Sequence, residues 1–334
     1  MNTFIKALFQ TDIKPFLHDL APIGTMLWQA GVFCAIILLI GFAVYWGREE
    51  VQAEIEMRRP ASMKRIFCRI CAGLLKPPVV PRQAQKTLFA ASPLFAFVIS
   101  LFFFFFIPVS DKYFMHPDVS LQYFLFAASG GVYAFITGGW SSASRFSFFG
   151  AVRLIAQSLA CQPVLAVVFV TILMTAGGSD LQTVMRAQQG MWFIVPHFPL
   201  FVLYVISVEM MLAQAPFGAP KSDRELSGGI YSEYSGALRV LFLIAENILM
   251  LLCATVGSIL FLGGTMPVFD IGSPEAWLMM KTFFLLFVLT LIRSTLPNWR
   301  TESVVNMSYK ICLPFALVWL TLTAGVLYRL HAGG

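Results

Sequence analysis

Long apolar runs constrain this chain more than any other feature. Eight segments of about 20 mostly apolar residues recur along it, and a helix of that length crosses the ~30 Å hydrocarbon core of a bilayer. Hydrophobic residues make up 58% of the 334 residues and charged residues only 12%, which leaves too few polar side chains to cover a soluble globule. The pattern predicts an all-α, polytopic integral membrane protein with about eight transmembrane helices. The runs are 22–46, 88–108, 121–139, 154–176, 192–214, 238–263, 277–296 and 311–330.

We expect a single membrane domain over 1–334, with three segments outside the spans. Residues 1–20 mix aromatic and charged side chains, which predicts an interfacial N-terminal segment. Residues 47–87 form a basic loop in which cationic and apolar side chains alternate, the pattern of an amphipathic helix in the membrane interface, ending before Pro77-Pro78. Residues 215–237 form an acidic, glycine-containing loop.

The basic residues predict an orientation. If 47–87 is cytoplasmic, most of the 23 Lys and Arg residues fall in cytoplasmic loops, as the positive-inside rule requires. Both termini are then expected on the outer, periplasmic face. Anionic lipid headgroups on the cytoplasmic side account for the net charge of +6, so the charge gives no reason to expect a nucleic-acid partner.

Sequence motifs give no redox centre to this chain. Cys68 and Cys71 form one C-x-x-C without a second pair or nearby histidines, which is a weak metal signal, and no metal site is predicted. No glycine-rich phosphate loop follows a predicted strand. We therefore expect the chain to bind no NADH, flavin or iron–sulfur cluster by itself.

Carboxylates supply the candidates for function. Glu209 and Glu246 fall in apolar runs, where a charged side chain costs about 2.5–3.5 kcal/mol and is a functional candidate by default. The alternative is a hydrogen-bonded acid that holds two helices together. Asp223, Glu225 and Glu233 lie in the loop between two apolar runs, and the alternative for them is a solvated, salt-bridged loop.

Four groups of residues between about 85 and 325 carry a resemblance, and they occur in the same order as in the family. They are Trp140-Ser141-Ser142 with Gly150-Ala151-Val152-Arg153, Ala187-Gln188-Gln189-Gly190, Pro216-Phe217 with Glu233-Tyr234-Ser235-Gly236 and Ala245-Glu246, and Arg293-Ser294-Thr295-Leu296-Pro297. Together they resemble the H-type membrane subunits of respiratory complex I, the proton-pumping NADH:quinone oxidoreductase. Because four separate motifs match, the resemblance is specific.

The resemblance implies a membrane-anchor subunit of the bacterial inner membrane that contributes to a quinone chamber and couples electron transfer to proton translocation. Quinone would be the substrate of the whole complex. NADH, FMN and iron–sulfur clusters would bind partner subunits, and the partners would be the peripheral iron–sulfur and quinone-module subunits and the membrane-arm subunits. The implied proton-relay residues are Glu225, Glu233, Glu246, Glu209 and Asp223, and the implied quinone-chamber residues are Arg58, Arg59, Glu225 and Glu233.

The chain departs from the family pattern at several charged positions. Gln214 stands where the family has an arginine, Gly218 replaces an aspartate, and the family acid near Glu209 falls at Met211. Three alternatives therefore stay open. They are the homologous anchor subunit of a membrane-bound hydrogenase, a degenerate paralogue that no longer pumps, and a stand-alone ion transporter.

Overall fold

The computed structural model describes residues 13–60, 62–108, 120–218, 229–267 and 273–332. Every regular element in these ranges is a helix, so the all-α prediction is confirmed. The α-helices are α1 (Ile13–Ile55), α2 (Met63–Leu75), α3 (Lys86–Phe102), α4 (Ser120–Ser141), α5 (Arg145–Ala176), α6 (Leu181–Ala187), α7 (Phe198–Leu212), α8 (Gly236–Leu262), α9 (Pro274–Thr295), α10 (Thr301–Met307) and α11 (Leu313–Ala332).

Eight of these elements coincide with the eight apolar runs. In the described ranges, six helical stretches are long and apolar enough to cross a membrane: Ala30–Ile55, Lys86–Phe106, Arg145–Ala176, Gly236–Leu262, Pro274–Thr295 and Thr301–Arg329. The other two runs correspond to α4, of 22 residues, and to α7, of 15 residues. The run 192–214 is thus shortened to Phe198–Leu212, because Pro196 and Pro199 place the helix start after residue 197.

Helix α8 forms the centre of the bundle. It packs against α1, α2, α3, α4, α6, α7 and α9. Of its most apolar window 72% is buried within the chain, against 11% for the last span. A helix that is apolar on all sides and covered by neighbours belongs to the interior, whereas the last span is covered little by the rest of this chain.

Close backbone packing joins α4 to α5. A Cβ atom added at Gly139 would lie 2.7 Å from the Ala151 Cβ and 2.9 Å from the Ser147 carbonyl oxygen. No side chain fits at that distance, so glycine allows the two helices to approach, as small residues commonly do in membrane bundles.

One predicted boundary needs correction. The first span does not end at residue 46, because α1 continues through Arg48 to Ile55. Residues 13–20, part of the predicted interfacial segment, are helical and continuous with the rest of α1. Residues 1–12 lie outside the described ranges, and the interfacial position of the segment stays a prediction. In the basic segment, α2 ends at Leu75 with Lys76 as its C-cap, so the helix ends before Pro77 and Pro78 as the sequence predicts.

Candidate functional site

A buried polar network crosses the interior of the bundle where α1, α7 and α8 meet. Arg48 is only 8% exposed, and its guanidinium donates to Asn247 Oδ1 at 2.8 Å and to Gln214 Oε1 at 2.7 Å. The Gln214 amide in turn donates to Glu246 Oε1 at 3.3 Å. One glutamine side chain therefore connects a buried cation to a carboxylate on the central helix.

Glu246 receives a second hydrogen bond from outside the spans. The Tyr231 hydroxyl donates to Glu246 Oε2 at 3.0 Å. Burial, followed by the charge of Glu246, raises the pKa of Tyr231 well above its ordinary value, so this phenol keeps its proton and remains a donor throughout the physiological pH range.

The segment that carries Tyr231 is anchored from both sides. The Ser147 hydroxyl on α5 donates to the Ile230 carbonyl at 3.1 Å. Tyr234 stacks on Phe89 with ring centroids 4.1 Å apart, and its hydroxyl lies 2.9 Å from that of Ser92 on α3. These contacts fix the short turn Gly229–Tyr231 and thereby hold the phenol over Glu246.

The end of α7 places Gln214 in the network. Helix α7 ends at Ala213, which adopts the left-handed conformation with φ of 47°. The Gln157 amide on α5 then donates to the Met210 and Phe217 carbonyls at 2.6 and 3.0 Å. A side chain from α5 thus satisfies carbonyls on both sides of this turn and directs Gln214 towards Arg48.

Glu209 is the most deeply buried acid near the network. It is 0% exposed, and within the described ranges neither carboxylate oxygen has a hydrogen-bond partner. The positive charges of Arg48 and Arg293 act on it. Arg293 on α9 also approaches Gln214, with its Nη1 3.4 Å from Oε1. Two arginines and two glutamates therefore share one interior region.

An apolar cavity of about 920 Å³ adjoins the network between α1, α2 and α8. Its walls include Phe42 and Tyr45 on α1, Phe67 on α2 and Ile244 on α8. Asn247 belongs both to this wall and to the network, because its amide oxygen accepts the bond from Arg48. A cavity with mostly apolar walls and a few polar groups, among them Asn247 and Lys64, suits an apolar ligand with a small polar end.

Comparison with known proteins places this architecture in a family. A family model described as NADH dehydrogenase matches residues 28–324. The H subunit of the NADH-quinone oxidoreductase of Paramagnetospirillum magneticum is 33% identical over 332 residues, which cover 94% of this chain and 95% of that protein. The chain belongs to the NADH dehydrogenase family.

Two further relatives agree with this assignment. The H subunit of the NADH-quinone oxidoreductase of Rhodospirillum centenum is 32% identical over 87% of this chain and 90% of its own length. NADH-ubiquinone oxidoreductase chain 1 of Chondrus crispus is 32% identical over 83% of this chain and 89% of its own length. These names favour the complex I interpretation over the hydrogenase and transporter alternatives.

The structure brings together only part of the predicted set. Glu246 and Glu209 both lie beside Arg48 in this member of the NADH dehydrogenase family. Glu233 is half-buried in the turn before α8 and joins none of the network's hydrogen bonds described above. Glu225 and Asp223 lie outside the described ranges.

The two arginines predicted for the quinone chamber lie apart from the network. Arg58 and Arg59 are exposed beyond the end of α1, and the Arg58 Nε atom pairs with Glu56 Oε2 at 2.6 Å. Neither is among the residues that line the cavity between α1, α2 and α8. In the described ranges no three His, Cys, Asp or Glu side chains cluster as a metal site would need.

Sequence reasoning missed Arg48, the residue that connects the network. A usable signal was present in the spacing of Ile37, Gly41, Val44 and Arg48, which are all buried in the structure. Their spacings of four, three and four residues place all four on one helix face. Because Arg48 continues the helix face of Ile37, Gly41 and Val44, its side chain could have been assigned to the interior of the bundle.

Proposed function

We propose that this chain is the H-type membrane anchor of a proton-pumping NADH:quinone oxidoreductase in the bacterial inner membrane. It contributes the apolar wall of a quinone site and the first polar groups of a proton-coupling path. NADH, FMN and iron–sulfur clusters bind the peripheral partner subunits, and the membrane-arm subunits continue the path. The observation that carries the proposal is that Asn247 lines the cavity and also bonds Arg48.

The cavity accounts for the quinone half of the proposal. Its lining is almost entirely apolar and lies between α1, α2 and α8, where an isoprenoid tail can enter from the bilayer. Lys64 on α2 is an exposed cation among the lining residues. The walls exclude water from the tail, while Asn247 offers an amide at the polar end of the cavity.

The network accounts for the coupling half. Glu246 can take up or release a proton, while Tyr231 and Gln214 hold its carboxylate in place. A change in charge on Glu246 alters its electrostatic interaction with Arg48, which also interacts with the charge of Glu209. Because the surrounding helices exclude water, such interactions are stronger here than at a surface. Glu233, Glu225 and Asp223 are proposed to supply protons from the aqueous side.

Affinity purification tests the assignment to the complex. A tagged chain, extracted in mild detergent from its own membranes, is expected to bring down flavin and iron–sulfur subunits of an NADH dehydrogenase, identified by mass spectrometry. Recovery of nickel–iron hydrogenase subunits, or of the chain alone, would contradict the proposal.

Photolabelling tests the quinone wall. A photoreactive quinone is expected to label peptides of α1, α2 and α8 in the intact complex, and excess unlabelled quinone should compete. The Asn247→Leu substitution keeps the approximate side-chain volume but removes the bond to Arg48. It should retain labelling while lowering proton translocation per electron, whereas the exposed-site control Asn298→Leu should change neither. Unaltered proton translocation in Asn247→Leu would show that Asn247 does not connect the apolar cavity to the polar network.

A further inference from the structure

A second cavity, of about 830 Å³, lies between the N-terminal part of α5 and α10. It shares no residue with the network or with the apolar cavity. Its lining combines charged, amide and aliphatic side chains, which suits an amphipathic ligand. The lining residues are Val152, Arg153, Ala156, Arg300, Thr301, Glu302, Val305 and Asn306.

The length of α5 places this cavity at the level of lipid headgroups. The helix has 32 residues, and only about 20 are needed to cross the hydrocarbon core. If Ala176 marks the opposite boundary, Arg153 lies about four residues, or roughly 6 Å, beyond the hydrocarbon at the N-terminal end of α5. The headgroup layer is about 5–8 Å thick on each side. Arg300 lines the same cavity and therefore reaches the same ligand.

The cavity is lined by charged side chains of both signs. Arg153 and Arg300 supply two guanidinium groups, which bind phosphate well, and Glu302 supplies one carboxylate. Within the described part of the chain, no ion pair joins Arg300 to Glu302, so neither charge neutralises the other. The buried hydroxyl oxygen of Thr301 likewise has no hydrogen-bond partner among the described residues.

An apolar surface continues from the cavity towards the hydrocarbon. The Tyr309 hydroxyl donates to the Leu159 carbonyl at 3.1 Å, which holds α5 beside the turn after α10. Below that contact Leu159, Ile311 and Phe315 are 50%, 64% and 46% exposed. A phospholipid bound by its headgroup can lay its acyl chains on this surface, whereas an acidic protein segment would leave it unused.

We propose that this cavity binds the headgroup of an aminophospholipid such as phosphatidylethanolamine. The phosphate lies between Arg153 and Arg300, and the ammonium group lies at Glu302. Phosphatidylglycerol offers the phosphate but no ammonium, so Glu302 distinguishes the two lipids. The bound lipid fixes the start of α10 against α5.

Photocrosslinking in nanodiscs tests the proposal. The intact complex is placed in phosphatidylcholine nanodiscs that contain a trace of either phosphatidylethanolamine or phosphatidylglycerol, each with a photoreactive group near the glycerol end of one acyl chain. Mass spectrometry then quantifies labelled peptides. We expect peptides spanning 145–160 and 300–312 to be labelled several-fold more by phosphatidylethanolamine than by phosphatidylglycerol. Because this comparison uses the unaltered complex, it does not depend on any variant folding.

Three variants locate the recognition. Glu302→Gln should abolish the preference between the two lipids, and Arg153→Gln with Arg300→Gln should lower labelling by phosphatidylethanolamine several-fold. The control Arg239→Gln removes an exposed arginine at the start of α8 and should change neither result. Equal labelling by both lipids in the unaltered complex, or labelling that is unchanged in the variants, would overturn the proposal.

Discussion

Two arginines ten positions apart on the same chain segment behave in opposite ways. Arg48 is 8% exposed and bonds side chains that are 199 and 166 residues distant in sequence. Arg58 has a side chain that is 56% exposed and pairs with Glu56, two residues away. A surface ion pair of that kind contributes about 0–1 kcal/mol. The interior cation, not the exposed one, therefore organises the site.

The largest effect is expected at Arg48. The Arg48→Gln substitution removes the cation and leaves Glu209 as a buried acid with one fewer neighbouring positive charge. Arg48 also makes two buried hydrogen bonds, and a hydrogen bond to a charged group contributes about 1.5–3 kcal/mol. Thermal unfolding in detergent, followed by a thiol-reactive dye that reports exposure of the fully buried Cys161 and Cys253, should show a clearly lower midpoint. An unchanged midpoint would mean that Arg48 is not a structural centre of the network.

The next effect is expected at Tyr231. The Tyr231→Phe substitution removes one hydrogen bond to a carboxylate, which is worth about 1.5–3 kcal/mol, but keeps the packing of the ring on Phe135 and Phe242. The free energy of unfolding should fall less than in Arg48→Gln, and NADH-driven proton translocation should fall severalfold. Tyr133→Phe, at an exposed tyrosine on α4, is the matched control. If the two phenylalanine variants behave alike, the phenol of Tyr231 does not position Glu246.

A matched pair of glycines separates interior packing from the lipid surface. The Gly139→Ala substitution forces a methyl group against Ala151 and the Ser147 carbonyl, whereas a methyl group at Gly31 meets no atom within 4 Å. Overpacking of this kind costs about 1–3 kcal/mol. The unfolding midpoint should therefore fall in Gly139→Ala and stay constant in Gly31→Ala. Equal unfolding midpoints in the two variants would show that α4 and α5 can move apart without loss of stability.

The smallest effect on stability is expected at the exposed arginines. Arg58→Gln and Arg59→Gln should change the free energy of unfolding by less than about 0.5 kcal/mol, because surface substitutions rarely do more. Charge reversal of both residues to Glu is a sharper test of partner docking, and is expected to release hydrophilic subunits, as seen by native gel electrophoresis. Intact assembly after reversal would leave these arginines with contacts to the membrane surface alone.

The spans could be predicted from the sequence because the thickness of the bilayer requires about 20 consecutive apolar residues in each spanning helix. The end of the first span could not be read in the same way. Arg48, Glu49 and Glu50 look like an exit from the membrane, yet α1 continues to Ile55. The Arg48 guanidinium bonds Asn247 on α8 and Gln214 after α7. A local sequence pattern cannot predict hydrogen bonds between residues so far apart in the chain.

The candidate acids could be predicted from the sequence, but the side chains that connect them could not. The sequence singled out Glu246 and Glu209 because an acid within an apolar run is rare and costly, and both act on the charge of Arg48 in the structure. It could not show that Gln214, which appeared only as a lost family charge, joins Arg48 to Glu246. The amide does so as a donor at one end and an acceptor at the other, a role that depends on the turn at Ala213.

The most direct test of the coupling role is the number of protons moved per electron in proteoliposomes that contain the intact complex. The Glu246→Gln substitution keeps the side-chain size and a hydrogen-bond acceptor for Tyr231, but cannot exchange a proton. We expect electron transfer from NADH to quinone to continue while the proton-to-electron ratio falls well below that of the unaltered complex. An unchanged ratio in a fully assembled Glu246→Gln complex would remove the buried network from the coupling mechanism.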